Sequence, residues 1–137
     1  GRYLSCREAG RRMLAAGRGS IVNIGSLASI TALGRSHVSY SMAMGAVVQM
    51  TRELSTEWSG HGVRVNAILP GWIESKMALD AFEADPERRD KVFGRTPMDR
   101  LGKAEEVGHA AVFLAAPAAS FVTGALLTVD GGASIGF

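Results

Sequence analysis

The chain alternates short apolar runs with longer segments in which apolar residues recur at helical spacing. The short runs cover residues 20–24, 63–69 and 126–129, and a glycine or proline follows each of them within two residues. Runs of this length between turn residues are typical of strands that are covered on both faces in a parallel sheet. We therefore predict three such strands.

Three helices are predicted around these strands. Helical periodicity runs through residues 1–16 and 39–59, and a third periodic segment starts at Lys103 and stops before Pro117. In the long second helix the apolar positions are Met42, Ala43, Ala46, Val47, Met50, Leu54 and Trp58. The polar segment 72–101 has a weaker pattern, with one helix expected over 77–92, and its composition favours a lid.

The alternation of strands and helices predicts an α/β fold, a parallel sheet with helical crossovers. The chain has 137 residues, which is enough for one domain and short for two. Three strands are few for a sheet of this kind, and the first would carry an open edge. We therefore expect about half of the sheet to be missing from these residues.

Composition limits the classes of function. Of the residues, 47% are hydrophobic and 20% are charged, which indicates a buried core. The net charge is only +2, so we expect no nucleic-acid partner. Cys6 is the single cysteine, so a reducing cytoplasm is the expected location. The sequence contains neither a signal peptide nor an apolar run near the roughly 18 residues of a spanning helix, so no membrane partner is expected.

Two hydroxyl side chains are the candidates for chemistry. Ser26 follows the first strand, and Tyr40 lies in the first turn of the long helix. Ligands of doubly wound sheets bind outside the carboxyl ends of the strands, where these two residues would meet. A serine and a tyrosine there could hold and protonate a carbonyl oxygen. The structural alternatives are a serine that caps a helix and a tyrosine that packs in the core.

The motifs, taken in order, resemble the C-terminal half of a short-chain dehydrogenase/reductase. They are I-V-N-I-G-S at 21–26, Tyr40 at a helix start, R-V-N-A-I-L-P-G-W-I at 64–73 and F-V-T-G-A-L-L-T-V-D-G-G at 121–132. The resemblance implies a Rossmann-type doubly wound sheet of which residues 1–137 are the C-terminal portion. The N-terminal dinucleotide-binding half would be absent.

The resemblance also implies the reaction. In this family the serine matching Ser26 hydrogen-bonds the substrate oxygen, and the tyrosine matching Tyr40 transfers the proton while hydride moves to or from the nicotinamide of NAD or NADP. The substrate would be a small alcohol or ketone. Residues 27–38 and 72–101 would select it.

Cofactor contacts are implied at four further positions besides Tyr40. Pro70 and Gly71 match the turn that lies against the nicotinamide, and the backbone at Ile73 matches the group that binds its carboxamide. Ser75 stands where a threonine commonly touches that amide or the pyrophosphate. The structural alternative for these residues is an ordinary turn at the end of a strand.

Two departures from the family pattern stand out. The pattern Y-x-x-x-K is here Tyr40-Ser41-Met42-Ala43-Met44, so the lysine that would bind the nicotinamide ribose is replaced by methionine. A tyrosine phenol in a model peptide has a pKa of about 10, so a nearby cation is needed to favour phenolate at neutral pH. The glycine-rich turn of a dinucleotide site is also missing from the sequence. We therefore expect impaired activity.

The remaining candidates are weaker. His37, His61 and His109 lack metal-ligand spacing, so no metal site is expected, and His37 is interpreted as a loop histidine that could also line a substrate pocket. The pair Arg88 and Arg89 is interpreted as a solvated helix face. The resemblance implies a homo-dimer or homo-tetramer. The competing hypotheses are a noncatalytic oligomer subunit or binding module, and a truncated chain that folds poorly.

Overall fold

The protein is described by a computed structural model over residues 1–34 and 36–135, so Arg35 in the predicted substrate loop lies outside the described residues. The helices are α1 (Arg2–Ala16), α2 (Val38–Trp58), α3 (Lys76–Ala84), α4 (Pro86–Arg95) and α5 (Ala104–Ala115). The strands are β1 (Gly19–Ile24), β2 (Val63–Pro70) and β3 (Leu126–Val129). Short 3₁₀ turns cover Leu27–Ser29, Ser59–His61 and Pro117–Ala119.

The strands form one parallel sheet in the order β1-β2-β3. Ile24 lies opposite Ile68 in the register of β1 and β2, and Pro70 lies opposite Val129 in that of β2 and β3. In the described part of the chain, β1 pairs on one side only, which leaves the open edge that was expected. The predicted α/β fold with parallel strands is confirmed.

Helices cover both faces of the sheet, because side chains along a strand point alternately to opposite faces. One face carries the buried cluster of Cys6, Ile21, Leu54 and Val65, which joins α1 and α2 to the sheet. On the other face, the Ser20 hydroxyl and the Arg64 guanidinium both donate to the carbonyl oxygen of Leu114 in α5, at 3.1 and 2.8 Å. This is the predicted doubly wound arrangement.

β2 is the centre of the core. Its side chains with 0% exposure are Val63, Val65, Asn66, Ala67, Ile68 and Leu69. The buried amide of Asn66 is satisfied at both ends, since its Nδ2 donates to the carbonyl of Val122 at 2.9 Å and its Oδ1 accepts from the N–H of Ala125 at 3.0 Å. A buried polar side chain with both partners stabilises one arrangement of the chain. Here it holds the segment before β3 against β2.

The segment 72–101 differs from its prediction. It forms two helices, because Pro86 has no N–H to continue a helix and disfavours helical geometry at the residue before it. Asp85 has φ −145° and ψ 81°, and its carboxylate accepts from the N–H of Arg88 at 3.0 Å. The segment also packs more closely than a bare lid, since the rings of Trp72 and Phe82 have centroids 6.0 Å apart.

The buried face of α2 also differs from its prediction. It consists of Met44, Val47, Val48, Thr51, Leu54 and Ser55. Met42 is 70% exposed, and Ala43 and Ala46 are exposed as well, so the apolar residues of this helix occupy two faces. Periodicity identified the helix but did not separate the face toward the sheet from the outer one.

Gly10 provides a test of the packing between α1 and α2. A β carbon at Gly10 would overlap the indole ring of Trp58, whereas one at Gly45 would meet nothing within 4 Å. We expect Gly10→Ala to lower the free energy of unfolding by about 1–3 kcal/mol through overpacking. Gly45→Ala, the matched control in another helix, should raise it by up to about 1 kcal/mol. Urea denaturation measures both, and equal stability of the two variants would contradict this packing.

Candidate active site

The three strands end at the same edge of the sheet, and the candidate residues follow from there. The N–H of Gly25 donates to the carbonyl of Ile68 at 2.8 Å, one residue beyond the end of β1. The N–H of Gly71 donates to the carbonyl of Val129 at 3.0 Å, one residue beyond the end of β2. The chain after each strand therefore starts at a fixed point on this edge.

Ser26 begins the 3₁₀ turn that leaves β1. Its Oγ accepts a hydrogen bond from the N–H of Ala28 at 3.1 Å, and its own N–H donates to the Oγ of Ser29 at 3.2 Å. Ser26 is thus a capping serine, as the structural alternative proposed. A hydroxyl that accepts one bond still has its proton to donate, so capping orients this group and leaves it able to bind an oxygen.

Tyr40 lies in the first turn of α2 and is 46% exposed. Its hydroxyl makes no hydrogen bond to any residue that the structure describes. Ser26 and Tyr40 line the same cleft, with a volume of about 410 Å³. The other lining residues are Leu27, Leu33, His37, Gly71, Trp72, Met77 and Arg88. A cleft of this size accommodates a small molecule. The two predicted residues therefore converge on one cleft, while their catalytic roles stay predictions.

Met44 is buried at 5% exposure and is not part of the cleft lining. A helix turns by about 100° per residue, so a residue four positions on is rotated by about 40° from the first. This rotation turns Met44 toward the sheet and away from the opening at Tyr40. The sequence placed the two on one face of the helix, and they are neighbours, but only Tyr40 reaches the cleft.

The turn after β2 carries the residues predicted to contact the cofactor. Pro70 is the last residue of β2, and a β carbon at Gly71 would come 2.7 Å from Cβ of Asp130, so close packing of two strand ends requires glycine there. Ile73 forms an isolated bridge with Gly102. The bridge uses the carbonyl of Trp72 and the N–H of Glu74, so the backbone groups of Ile73 itself are not used in it.

Ser75 is the N-cap of α3. Its Oγ accepts from the N–H of Ala78 at 3.1 Å. Capping accounts for a serine at this position without any cofactor. Ser75 does not line the cleft of Ser26 and Tyr40, and its contact with a cofactor stays a prediction.

Glu106 fixes the segment that pairs with Ile73. Its carboxylate accepts two hydrogen bonds from the guanidinium of Arg100, at 2.8 and 2.7 Å, and one from the N–H of Lys103 at 2.7 Å. The hydrogen bond from Arg100 is the largest cause that lowers the pKa of Glu106, to about 2. The carboxylate is therefore charged at ordinary pH and anchors the chain around Gly102.

Arg88 lines the cleft and was not singled out from the sequence. The guanidinium carbon of Arg88 lies 5.2 Å from the ring centroid of Trp72, and its Nε is buried without a hydrogen-bond partner in the described part of the chain. The interpretation of Arg88 as a solvated residue is wrong, although Arg89 is exposed. The spacing along the helix could have indicated that Arg88 points inward, since it lies one turn before the buried Val92.

Of the other reactive side chains, Cys6 does not line this cleft, whereas His37 does. Cys6 is buried, and desolvation raises the pKa of its thiol, opposed by a hydrogen bond to Asn23, so the thiol is protonated and unreactive at neutral pH. His37 lines the cleft, so the second interpretation of it, as a residue of the substrate pocket, agrees with its position.

Among the described residues, no group of three or more His, Cys, Asp and Glu could hold a metal ion. No helix in residues 1–34 and 36–135 has the length and apolar character to cross a membrane.

Comparison with known proteins identifies the family. A family model described as enoyl-(acyl carrier protein) reductase matches residues 1–134. The chain belongs to the short-chain dehydrogenase/reductase family. The resemblance carried by the motifs is thereby confirmed, and the three-stranded sheet is part of the Rossmann-type fold of short-chain dehydrogenases.

Three family members illustrate the similarity. The chain is 47% identical over 137 residues to galactitol 2-dehydrogenase (L-tagatose-forming) of Cereibacter sphaeroides, covering 98% of this chain and 53% of that protein. It is 40% identical over 135 residues to the inactive 2-(S)-hydroxypropyl-CoM dehydrogenase 2 of Xanthobacter autotrophicus, covering 96% and 58%. A gluconate 5-dehydrogenase from Burkholderia cenocepacia J2315, solved with NADP and tartrate, has a TM-score of 0.89 at 34% identity, covering 96% and 51%. The chain spans about half the length of the curated relatives it matches.

Because Tyr40 is exposed, a substitution can show whether its hydroxyl contributes to the stability of the fold. Because its hydroxyl has no partner among the described residues, Tyr40→Phe should change the free energy of unfolding by less than about 0.5 kcal/mol. Asn66→Ala, which removes both hydrogen bonds of a buried amide, should lower it by about 1–3 kcal/mol. Chemical denaturation measures both. A large loss in Tyr40→Phe would mean that the hydroxyl is structural.

Proposed function

We propose that this chain is the substrate-binding and proton-transferring part of an NAD(P)-dependent short-chain dehydrogenase/reductase that interconverts an alcohol and a ketone. The observation that carries the proposal is the convergence of Ser26 and Tyr40 on one cleft at the carboxyl edge of a parallel sheet. Residues 1–137 would be the C-terminal portion of a single Rossmann-type domain. The single buried thiol of Cys6 favours a reducing, cytoplasmic location.

The two hydroxyls have different roles in this proposal. Ser26, oriented by the N–H of Ala28, donates its proton to the substrate oxygen and holds it. Tyr40 takes the proton from the alcohol during oxidation and returns it to the oxygen during reduction. When bound, NAD or NADP accepts or supplies the hydride at the substrate carbon.

The residues fit the nicotinamide end of such a cofactor in part. Tyr40, Pro70, Gly71, Ile73 and Ser75 would hold it, and the backbone groups of Ile73 that its bridge leaves unused are suited to an amide. The solved gluconate 5-dehydrogenase carries NADP, which supports a nicotinamide dinucleotide here.

One residue of the chain does not fit the cofactor. Met44 offers no donor to the ribose and no charge beside the phenol. The glycine-rich turn for the pyrophosphate does not lie in these 137 residues, which span about half the length of the relatives. We infer that Met44 lowers the activity.

Met44→Lys tests the proposal. A cation ~4 Å from a phenolate, at an effective dielectric constant of ~20, contributes about 4 kcal/mol, or about three factors of ten in rate. We expect Met44→Lys to raise the turnover number by about two to three orders of magnitude. The measurement is the rate of NAD(P)H formation with a polyol, in a polypeptide that joins residues 1–137 to the remaining half of the Cereibacter sphaeroides enzyme.

Met42→Lys is the matched control for this experiment. It adds the same charge two residues earlier, on a side chain that is 70% exposed, and should leave the rate unchanged. A Met44→Lys protein that remains folded and gains no rate would contradict the proposed role of position 44.

A second candidate function is that of a noncatalytic oligomer subunit or binding module. Met44 favours it, and one relative at 40% identity is named as inactive. Besides Tyr40 in the cleft, the large apolar side chains exposed on α1 and α2 are Tyr3, Leu4, Val38 and Met42, and those exposed on α5, on the other face of the sheet, are Val112 and Phe113. Exposed apolar side chains on two sides of the chain are suited to contacts in a homo-dimer or homo-tetramer.

Titration with NADH and NADPH separates the two candidates. If the chain acts on an alcohol or ketone, we expect one of the two nucleotides to bind and to change the fluorescence of its nicotinamide. Tyr40→Phe should still bind the nucleotide, with an affinity reduced by the loss of one hydrogen bond. No binding of either nucleotide by the polypeptide that joins residues 1–137 to the remaining half of the Cereibacter sphaeroides enzyme would leave the noncatalytic function as the better explanation.

A further inference from the structure

A cationic wall borders the cleft of Ser26 and Tyr40 on the side of α4. A second hollow of about 160 Å³ adjoins the cleft, and Arg88 lines both. Lys91 and Arg95 of the same helix line the second hollow. Among the described residues, neither lining includes an aspartate or a glutamate. The carboxylates of Asp85 and Glu87 lie close to Arg88 and Lys91 at the start of the same helix, but neither lines the two hollows. A lining with positive charge alone favours an anion.

Arg88 is the cation of this wall whose hydrogen-bonding capacity is unused. Its Nε is buried and has no partner in residues 1–34 and 36–135. Arg95, in contrast, donates to the carbonyls of Ala133 and Ala32, both at 3.1 Å. Lys91 is exposed and lies 3.9 Å from Glu87. A buried N–H without an acceptor costs free energy, so the guanidinium of Arg88 has a donor that the described residues do not satisfy.

The side chain of Trp72 prepares Arg88 for such a ligand. The guanidinium carbon lies 5.2 Å from the centre of this ring, which itself packs on Phe82. A guanidinium stacked on an aromatic face is fixed in orientation and keeps its donors along its edge. Carboxylates and phosphates bind to that edge with two parallel hydrogen bonds. An ordered guanidinium loses less entropy when it binds.

We propose that Arg88 binds an anionic group of the substrate, so that the substrate is a hydroxy acid or a phosphorylated polyol and not a neutral polyol. The anion lies against Arg88, with Lys91 at the rim, while the carbon to be oxidised lies at Ser26 and Tyr40. That the bound anion is part of a substrate rests on the proposed function. The binding of the anion itself can be measured without cofactor or turnover.

The test is a titration of the ¹⁵N-labelled 137-residue chain with three probes, followed by NMR. The probes are gluconate, sorbitol 6-phosphate and the neutral galactitol. The chain has two tryptophans, so the indole signal of Trp72 reports on the cleft, and that of Trp58, which packs beside Gly10, is the internal control. We expect one anionic probe to bind at least about tenfold more tightly than galactitol, with a shift at Trp72 and none at Trp58.

Arg88→Gln and Arg89→Gln form a matched pair for this titration. Both remove one charge from α4, and both guanidinium groups lie over an aromatic ring, since Arg89 lies 5.1 Å from the centre of Phe93. Only Arg88 lines the cleft. We expect Arg88→Gln to abolish the preference for the anion and Arg89→Gln to retain it. Arg88→Lys keeps the charge without the paired donors and should retain part of the preference.

Each outcome decides the inference. Preference for gluconate identifies a carboxylate as the anion, and preference for sorbitol 6-phosphate identifies a phosphate. Equal binding of all three probes, binding of none, or an unchanged preference in Arg88→Gln would overturn it. Should Arg88→Gln unfold, the probe comparison in the unmodified chain and in Arg88→Lys still decides. Failure of the hydride-transfer assay with intact anion preference would count against the proposed function alone.

Discussion

The parallel register of β2 with both of its neighbours is the constraint on which the candidate site depends. The backbone pairing continues one residue beyond the strands, through Gly25 to Ile68 and through Gly71 to Val129. A slip by one residue would turn the buried side chains of β2 to the wrong face. Ser26 follows directly from this pairing. The packing of the core therefore also sets the position of the Ser26 hydroxyl relative to the turn after β2.

Polar side chains on the strands make this register specific. The guanidinium of Arg64 donates to carbonyls at the C-terminal end of α5, where the helix dipole favours a cation. On the opposite face, the amide of Asn23 accepts from the thiol of Cys6 at 3.2 Å and donates to the hydroxyl of Thr51 at 3.0 Å. These groups find all their partners in one arrangement only, because a displaced strand would bury them unpaired. Apolar burial supplies the driving force, and the polar contacts select the alignment.

Features of the structure that depend on local sequence patterns could be predicted, whereas those that depend on contacts between distant parts of the chain could not. The three strands followed from apolar runs between turn residues, and Ser26 and Tyr40 followed from their places at a strand end and a helix start. Arg88 carries no local sign of its contact with Trp72, because sixteen positions of chain separate them and two helix starts intervene. The break at Pro86 was readable from proline chemistry and was overlooked. Which apolar face of α2 meets the sheet was not readable, since both faces are apolar.

The cleft has a cation at Arg88 but none one turn beyond Tyr40. The charge of the substrate therefore bears on the rate of proton transfer. One turn beyond Tyr40 the side chain is the buried, uncharged Met44, whereas Arg88 is the cation that lines the cleft. A substrate anion would neutralise Arg88 when it binds, so that this cation cannot also stabilise a phenolate. The missing cation at position 44 would then lower the rate more for an anionic substrate than for a neutral one. In this proposal, substrate binding and proton transfer depend on separate cations, and a chain without a cation at position 44 can retain the substrate preference that Arg88 confers.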